Sequence, residues 1–225
     1  GEFIYSGDSE LFIDEELTSL AVQDLDNDGL PEIIYTLFSP GEVYVHRNSS
    51  SDAGLDFFAR PLRYPMGGIP VGTISADLDD NGFADLVIAN DYAGTLTIRL
   101  NVEASGIFRR WDRAFSDPIQ LELQHSDTAI PKAVATADLD QDGDLDLISA
   151  NWGTDSVSIL RNQGDGSFMD AMVFAAGYRP EHVLVRDFDD DARPDLAVAN
   201  ADGKITILLN RSMPPVSEDL NADGT

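Results

Sequence analysis

Four nine-residue stretches of this chain repeat one acidic pattern: Asp24-Leu-Asp26-Asn-Asp28-Gly29-Leu-Pro-Glu32, Asp77-Leu-Asp79-Asp-Asn81-Gly82-Phe-Ala-Asp85, Asp138-Leu-Asp140-Gln-Asp142-Gly143-Asp-Leu-Asp146 and Asp187-Phe-Asp189-Asp-Asp191-Ala192-Arg-Pro-Asp195. Carboxylates this close repel one another unless a hard cation lies between them. Oxygen side chains at positions one, three and five converge when the backbone curls, and glycine at six permits the sharp turn. Position seven can add its carbonyl, and the next acid falls at nine. One such stretch reads equally well as a polar turn bonding its own backbone, but four in register point to calcium. Magnesium demands a tighter octahedral shell. Calcium tolerates the neutral oxygen of Asn81. Loop four carries Ala192 in place of glycine, so a left-handed turn there costs about 1–2 kcal/mol and the loop is expected to bind most weakly.

The first aspartates of the loops are 53, 61 and 49 residues apart, a spacing that suits a supersecondary repeat burying its apolar faces against its neighbours. Each unit places an apolar run before the loop (Ser19 to Val22, Val71 to Ala76, Ala133 to Ala137, Val183 to Val185) and a β-rich run after it (Ile33 to Tyr35, Leu86 to Ala89, Leu147 to Ala150, Leu196 to Ala199). An alternating run then ends at Asn48, Asn101, Asn162 or Asn210. A fourth strand is expected within Gly54 to Tyr64, Gly106 to Trp111 and Gly166 to Phe174. Four antiparallel strands per unit predict an all-β propeller with blades at about 17–64, 70–123, 131–174 and 180–210. The last unit lacks a fourth strand. The segment at about 2–12 is expected to supply it and close a four-bladed ring; otherwise two chains cooperate or the chain is a slice of a larger propeller. Residues 213–225 read as a flexible linker opening a truncated calcium-loop or dockerin-like segment.

The formal charge is −27, and 15 of the 41 acids sit at positions one, three, five and nine of the loops. Four bound Ca2+ ions bring eight positive charges and still leave −19. That charge disfavours nucleic acid and anionic membrane surfaces. With no cysteine, disulfides, thiol catalysis and cysteine-ligated zinc are excluded. No apolar run is long enough to cross a membrane as a helix. His46, His125 and His182 fall at different offsets in their repeats, which suggests neither a metal triad nor a nucleophile relay. The carboxylate register is explained by calcium, without a distinct acid and nucleophile pair. Enzymatic activity is therefore not expected.

Asn90, Asn151 and Asn200 recur 13 residues after the first loop aspartates and are expected to bond the next turn. Pro70, Pro131 and Pro180 precede the loops by seven residues and suggest rigid turns between blades. Tyr92 and Trp152 follow the end of the run after the loop, at a comparable rim position, and with Trp111 of the Phe108-Arg-Arg-Trp111 patch they are candidate ligand contacts. Tyr44 and Tyr178 are further candidate recognition aromatics, and packing between blades is the competing role for all five.

These loops resemble those of the FG-GAP/VCBS repeat family, found in integrin alpha-chain propellers and many secreted bacterial proteins. The resemblance covers roughly 17–210. It implies calcium ligands at Asp24, Asp26, Asp28 and Glu32; Asp77, Asp79, Asn81 and Asp85; Asp138, Asp140, Asp142 and Asp146; and Asp187, Asp189, Asp191 and Asp195, about four ions in all. The carbonyls of Leu30, Phe83, Asp144 and Arg193 join them by the same resemblance. Family propellers commonly have seven blades, against four loops here. The implied role is a calcium-stabilised binding or adhesion module, secreted or on the cell surface of a bacterium, recognising an extracellular protein or carbohydrate. A structural assembly domain, a homodimer and a calcium-dependent polysaccharide lyase are the alternatives.

Overall fold

The computed structural model describes residues 13, 15–39, 41–48, 61–102, 114–123 and 128–211. Their regular structure is entirely strand, in four antiparallel sheets that follow one another along the chain. Sheet one is β1 (Leu17–Gln23), β2 (Glu32–Leu37), β3 (Glu42–His46) and β4 (Leu62–Pro65). Sheet two is β5 (Ile69–Ala76), β6 (Asp85–Asp91), β7 (Thr95–Arg99) and β8 (Ile119–Glu122). Sheet three is β9 (Pro131–Ala137), β10 (Asp146–Asn151), β11 (Ser156–Leu160) and β12 (Met172–Ala175). Sheet four has three strands, β13 (Pro180–Arg186), β14 (Asp195–Asn200) and β15 (Ile205–Leu208).

Each acidic loop joins the first two strands of its sheet, as its β-branched and leucine flanks predict. The second strands of sheets two and three are apolar on both faces because each of these sheets is packed between two others. Leu86 and Ile88 of β6 pack with Ile34, Val43 and Val45 of sheet one, while Val87 and Ala89 pack with Val134 and Leu147 of sheet three. On β10, Ile148 and Ala150 meet Val183, Leu196 and Val198 of sheet four. Full burial of one such leucine or isoleucine stabilises by about 1.5–3 kcal/mol. First strand packs on first strand, β1 on β5 on β9 on β13, in propeller-like sequence. No comparable contact returns from sheet four to sheet one among the described residues.

The asparagines at the ends of the third strands hold consecutive sheets together. Asn101 Nδ2 donates to the Leu25 carbonyl (2.9 Å), Asn162 to Leu78 (2.8 Å) and Asn210 to Leu139 (2.7 Å), each reaching back to position two of the preceding loop.

Two sequence expectations need correction. The fourth strand of sheet two is Ile119–Glu122, after the insertion; the expected segment, Gly106 to Trp111, lies wholly outside the described residues. Pro70, Pro131 and Pro180 are strand residues. Each sits where the pairing of first and second strands slips by one residue, a place that loses no ladder bond to proline's missing N–H. The segments at 2–12 and 213–225 lie outside the described residues. A groove of about 180 Å³, lined by Met172, Phe174, Leu208, Leu209 and Arg211 among others, runs between the outer strands of sheets three and four.

Replacing Asn162 by Ala removes the Nδ2 donor from the buried Leu78 carbonyl and the half-buried Leu145 carbonyl. Urea unfolding in Ca2+ is expected to show a loss of about 1–3 kcal/mol.

Candidate metal centres

Every loop uses the same backbone bonds. The carboxylate at position one accepts N–H bonds from positions five and six, as Asp77 does from Asn81 (3.2 Å) and Gly82 (2.8 Å); Asp24, Asp138 and Asp187 repeat this. Position seven donates its N–H to position five: Leu30 to Asp28, Phe83 to Asn81, Asp144 to Asp142 and Arg193 to Asp191. Positions four and six are left-handed throughout. Asn27, Asp80, Gln141 and Asp190 have φ of 55° to 64°, and Gly29, Gly82 and Gly143 have φ of 85° to 103°. Ala192 takes the same turn at φ 65°, so the glycine requirement is met by a residue that pays for it in backbone strain.

The acid at position nine begins the second strand and is fully buried. One oxygen accepts the position-two N–H, from Leu25, Leu78, Leu139 or Phe188. The other accepts the N–H of Asn48, Asn101, Asn162 or Asn210. Burial pushes Glu32 and Asp85 up to about 7 and Asp146 up to about 6; the two N–H donors oppose this without reversing it. The neighbouring loop carboxylates raise all three further.

Oxygens of Asp24, Asp26 and Glu32 lie within 4.8 Å of one another, as do those of Asp77, Asp79 and Asp85, of Asp138, Asp140 and Asp142, and of Asp187, Asp189 and Asp195. Among the described residues, all such acidic groups are in the four loops. Two observations fit a cation. The buried Oδ1 atoms of Asp79 and Asp140, both at position three, have no hydrogen-bond partner, and the donors are all hard oxygens. The side chains at positions one, three, five and nine would hold the ion, and the position-seven carbonyls complete the expected set.

The loops differ in their internal counter-charges, which the sequence reading did not anticipate. Arg47 pairs with Asp26 at 3.0 Å and Arg161 with Asp140 at 3.3 Å, each from the residue before the tying asparagine. Leu100 occupies that place in sheet two, and no arginine pairs with loop two among the described residues. Loop four has two: Arg193 on Asp191, and Arg211 on Asp189 at 3.0 Å and Asp191 at 3.7 Å. Burial raises Asp191, but the Arg193 N–H and both guanidiniums outweigh it and hold the carboxyl below the usual range.

The opposite rim carries the candidate recognition aromatics. Tyr92 is exposed at 68% in a left-handed turn (φ 60°). Trp152 is not open in the same way, because the Arg179 guanidinium lies 4.1 Å from its ring centre and 4.9 Å from that of Tyr178. Tyr44 packs against Tyr35 on sheet one. Trp111 lies outside the described residues. Asn90, Asn151 and Asn200 bond the third strand of their own sheets, through Thr95 and Thr97, Ser156 and Ser158, and Thr206, and not the turn the sequence reading expected.

The family model of FG-GAP-like repeats matches residues 24–88, 77–149 and 138–198. No curated protein matches the chain significantly. Solved structures that resemble it include the Tc holotoxin pore of Photorhabdus luminescens (23% identity, TM-score 0.48, 87% of this chain, 9% of that one). Another is BBS1N in complex with ARL6DN (15% identity, TM-score 0.50, 88% of this chain, 53% of that one), a likeness of fold. The chain thus spans about half or less of these proteins.

Two outcomes are expected. Ala192→Gly removes the left-handed strain and should tighten calcium at loop four up to about tenfold in a calorimetric titration. In chelator, the protonated forms of Glu32 and Asp85 stabilise the fold fully below their ordinary values of 4.5 and 3.8, and that contribution is lost as pH rises through about 7. Melting temperature should therefore fall from pH 5 to about pH 8 without metal and flatten in saturating Ca2+; a rise in chelator would contradict the assignment.

Proposed function

Because the chain belongs to the FG-GAP-like repeat family, we propose that it is a calcium-stabilised propeller module of an extracellular protein, which binds protein or glycan partners. The four sheets are consecutive blades, and four Ca2+ ions secure their loops. The supporting observation is the separation of two rims: oxygen cages on one, exposed aromatics on the other. Metal can thus hold the shape without occupying the recognition surface. Tyr92 is the foremost contact residue, and the stack of Tyr178, Arg179 and Trp152 joins the end of β10 to the start of β13 on the same side. The closed four-bladed ring with 2–12 as its last strand is the less favoured arrangement, since the outward faces of sheets one and four are solvent-exposed at Leu20, Val22, Leu184 and Ile205. Those faces support a second role in assembly.

The test is binding to panels of immobilised glycans and matrix proteins, in Ca2+ and then in chelator, with circular dichroism reporting the fold. Saturable binding in Ca2+ is expected, weakened about tenfold by Tyr92→Ala at unchanged melting temperature. Wild-type binding by that variant would remove the rim from the account. No saturable binding at all would leave assembly as the function.

A further inference from the structure

The three internal junctions follow one rule, and the two ends of the stack are its unmatched halves. At each junction the position-two residue of the earlier loop is buried under the next sheet: Leu25, Leu78 and Leu139 are 1%, 2% and 7% exposed. Its carbonyl takes the asparagine of that sheet. Phe188 holds this position in loop four and is 47% exposed, with no described asparagine on its carbonyl. Asn48 holds the tying position in sheet one. It keeps the bond to its own loop, Nδ2 to the Pro31 carbonyl at 3.2 Å, as Asn101 does to Ala84 and Asn162 to Leu145. The bond to a preceding sheet is the one it does not make.

The apolar faces show the same pattern. Four residues before the loop, Thr73, Val134 and Val183 are buried against the preceding sheet, yet Leu20 is 61% exposed. Three residues before the loop, Ala21, Ile74 and Ala135 pack toward the following sheet, yet Leu184 is 70% exposed, with Ile205 and Ile207 beside it. A contiguous open apolar face of this kind marks an interface. The outer part of sheet one's face is already covered, Tyr35, Leu37 and Tyr44 being buried with Ile13 against them. Its first strand is what remains open.

We infer that these two faces are halves of a single junction formed between two copies of this chain, sheet four of one against sheet one of the other. The side-chain volumes favour this occupant. In the structure the second strand of one sheet lies against the first strand of the next. At the first junction the facing rows are large Ile34 on β2 and, in register with Ile88 and Leu86, small Thr73 and Ser75 on β5. Sheet four offers the reverse, small Ala197 and Ala199 on β14, and β1 supplies the large Leu20 and Val22 to fill them. Asn48 of the second copy then donates to the Phe188 carbonyl, and Phe188 is buried like its three equivalents. Two such junctions related by a two-fold axis leave no open face, giving a closed dimer of eight sheets rather than a filament. Calcium favours the dimer, since each chain otherwise brings a formal charge of −27.

Sedimentation velocity of the full chain in Ca2+ tests this at micromolar concentration. A dimer is expected, weakened at least about a hundredfold by Leu184→Asp and about tenfold by Asn48→Ala, with both variants keeping their calcium stoichiometry. A wild-type monomer, an open-ended polymer, or a Leu184→Asp dimer of unchanged strength overturns the inference. The chain has no cysteine, so the double variant Leu20→Cys with Ala197→Cys separates closure between copies from closure within one. Disulfide-linked dimers on a non-reducing gel support the inference, and an internally bridged monomer overturns it.

Discussion

The buried carboxylate at position nine is the interaction on which the architecture depends. Glu32, Asp85, Asp146 and Asp195 each open a second strand, and each takes one N–H from the loop before it and one from the asparagine after the third strand. One side chain thereby fixes the loop, the second strand and the third strand relative to one another. In sheets two, three and four the same asparagine sends its side chain to the preceding sheet, so there the acid also sets the junction between sheets. Such a group is costly to bury as an anion unless positive charge is near. Two N–H dipoles do not suffice, as the elevation of Glu32, Asp85 and Asp146 shows. A cation held by the other loop oxygens would neutralise the cluster, and it would join calcium binding to folding.

That coupling explains why the four loops are alike in backbone and unlike in charge. The turn must be left-handed at positions four and six in all four, even where Ala192 makes this unfavourable. The arginines follow no such rule. Among the described residues, loop two pairs with no arginine, loops one and three take one each, and loop four takes two. The repeats therefore offer graded sites on a common frame, with the internal cations of loop four competing for the carboxylates that an ion would use.

Much of this was legible in the sequence because its signals are local. Alternating oxygens with glycine at six specify the loop, and period-two apolar runs on either side specify strands. The fixed offset of Asn90, Asn151 and Asn200 marked them as local hydrogen-bonding residues, though their partners are third-strand hydroxyls and not the turn. What was not legible depends on contacts across sheets. Asn101, Asn162 and Asn210 recur as regularly as the loop acids, but nothing local reveals that they reach the preceding sheet. Arg47 and Arg161 gave a weak signal by preceding Asn48 and Asn162. The fourth strand of sheet two lies beyond its insertion because the spacing rule tolerates extra chain at the periphery, where no junction constrains it. The prolines misled for a related reason: a slip in strand pairing admits proline inside a sheet, and the slip is not written in the residues alone.

The most direct measurement is a high-resolution crystal structure grown in Ca2+, with anomalous scattering used to locate the ions. The account predicts an anomalous peak in each loop, bounded by oxygens from positions one, three, five and nine, and strongest in loop two. A folded chain with water alone in all four loops would contradict it.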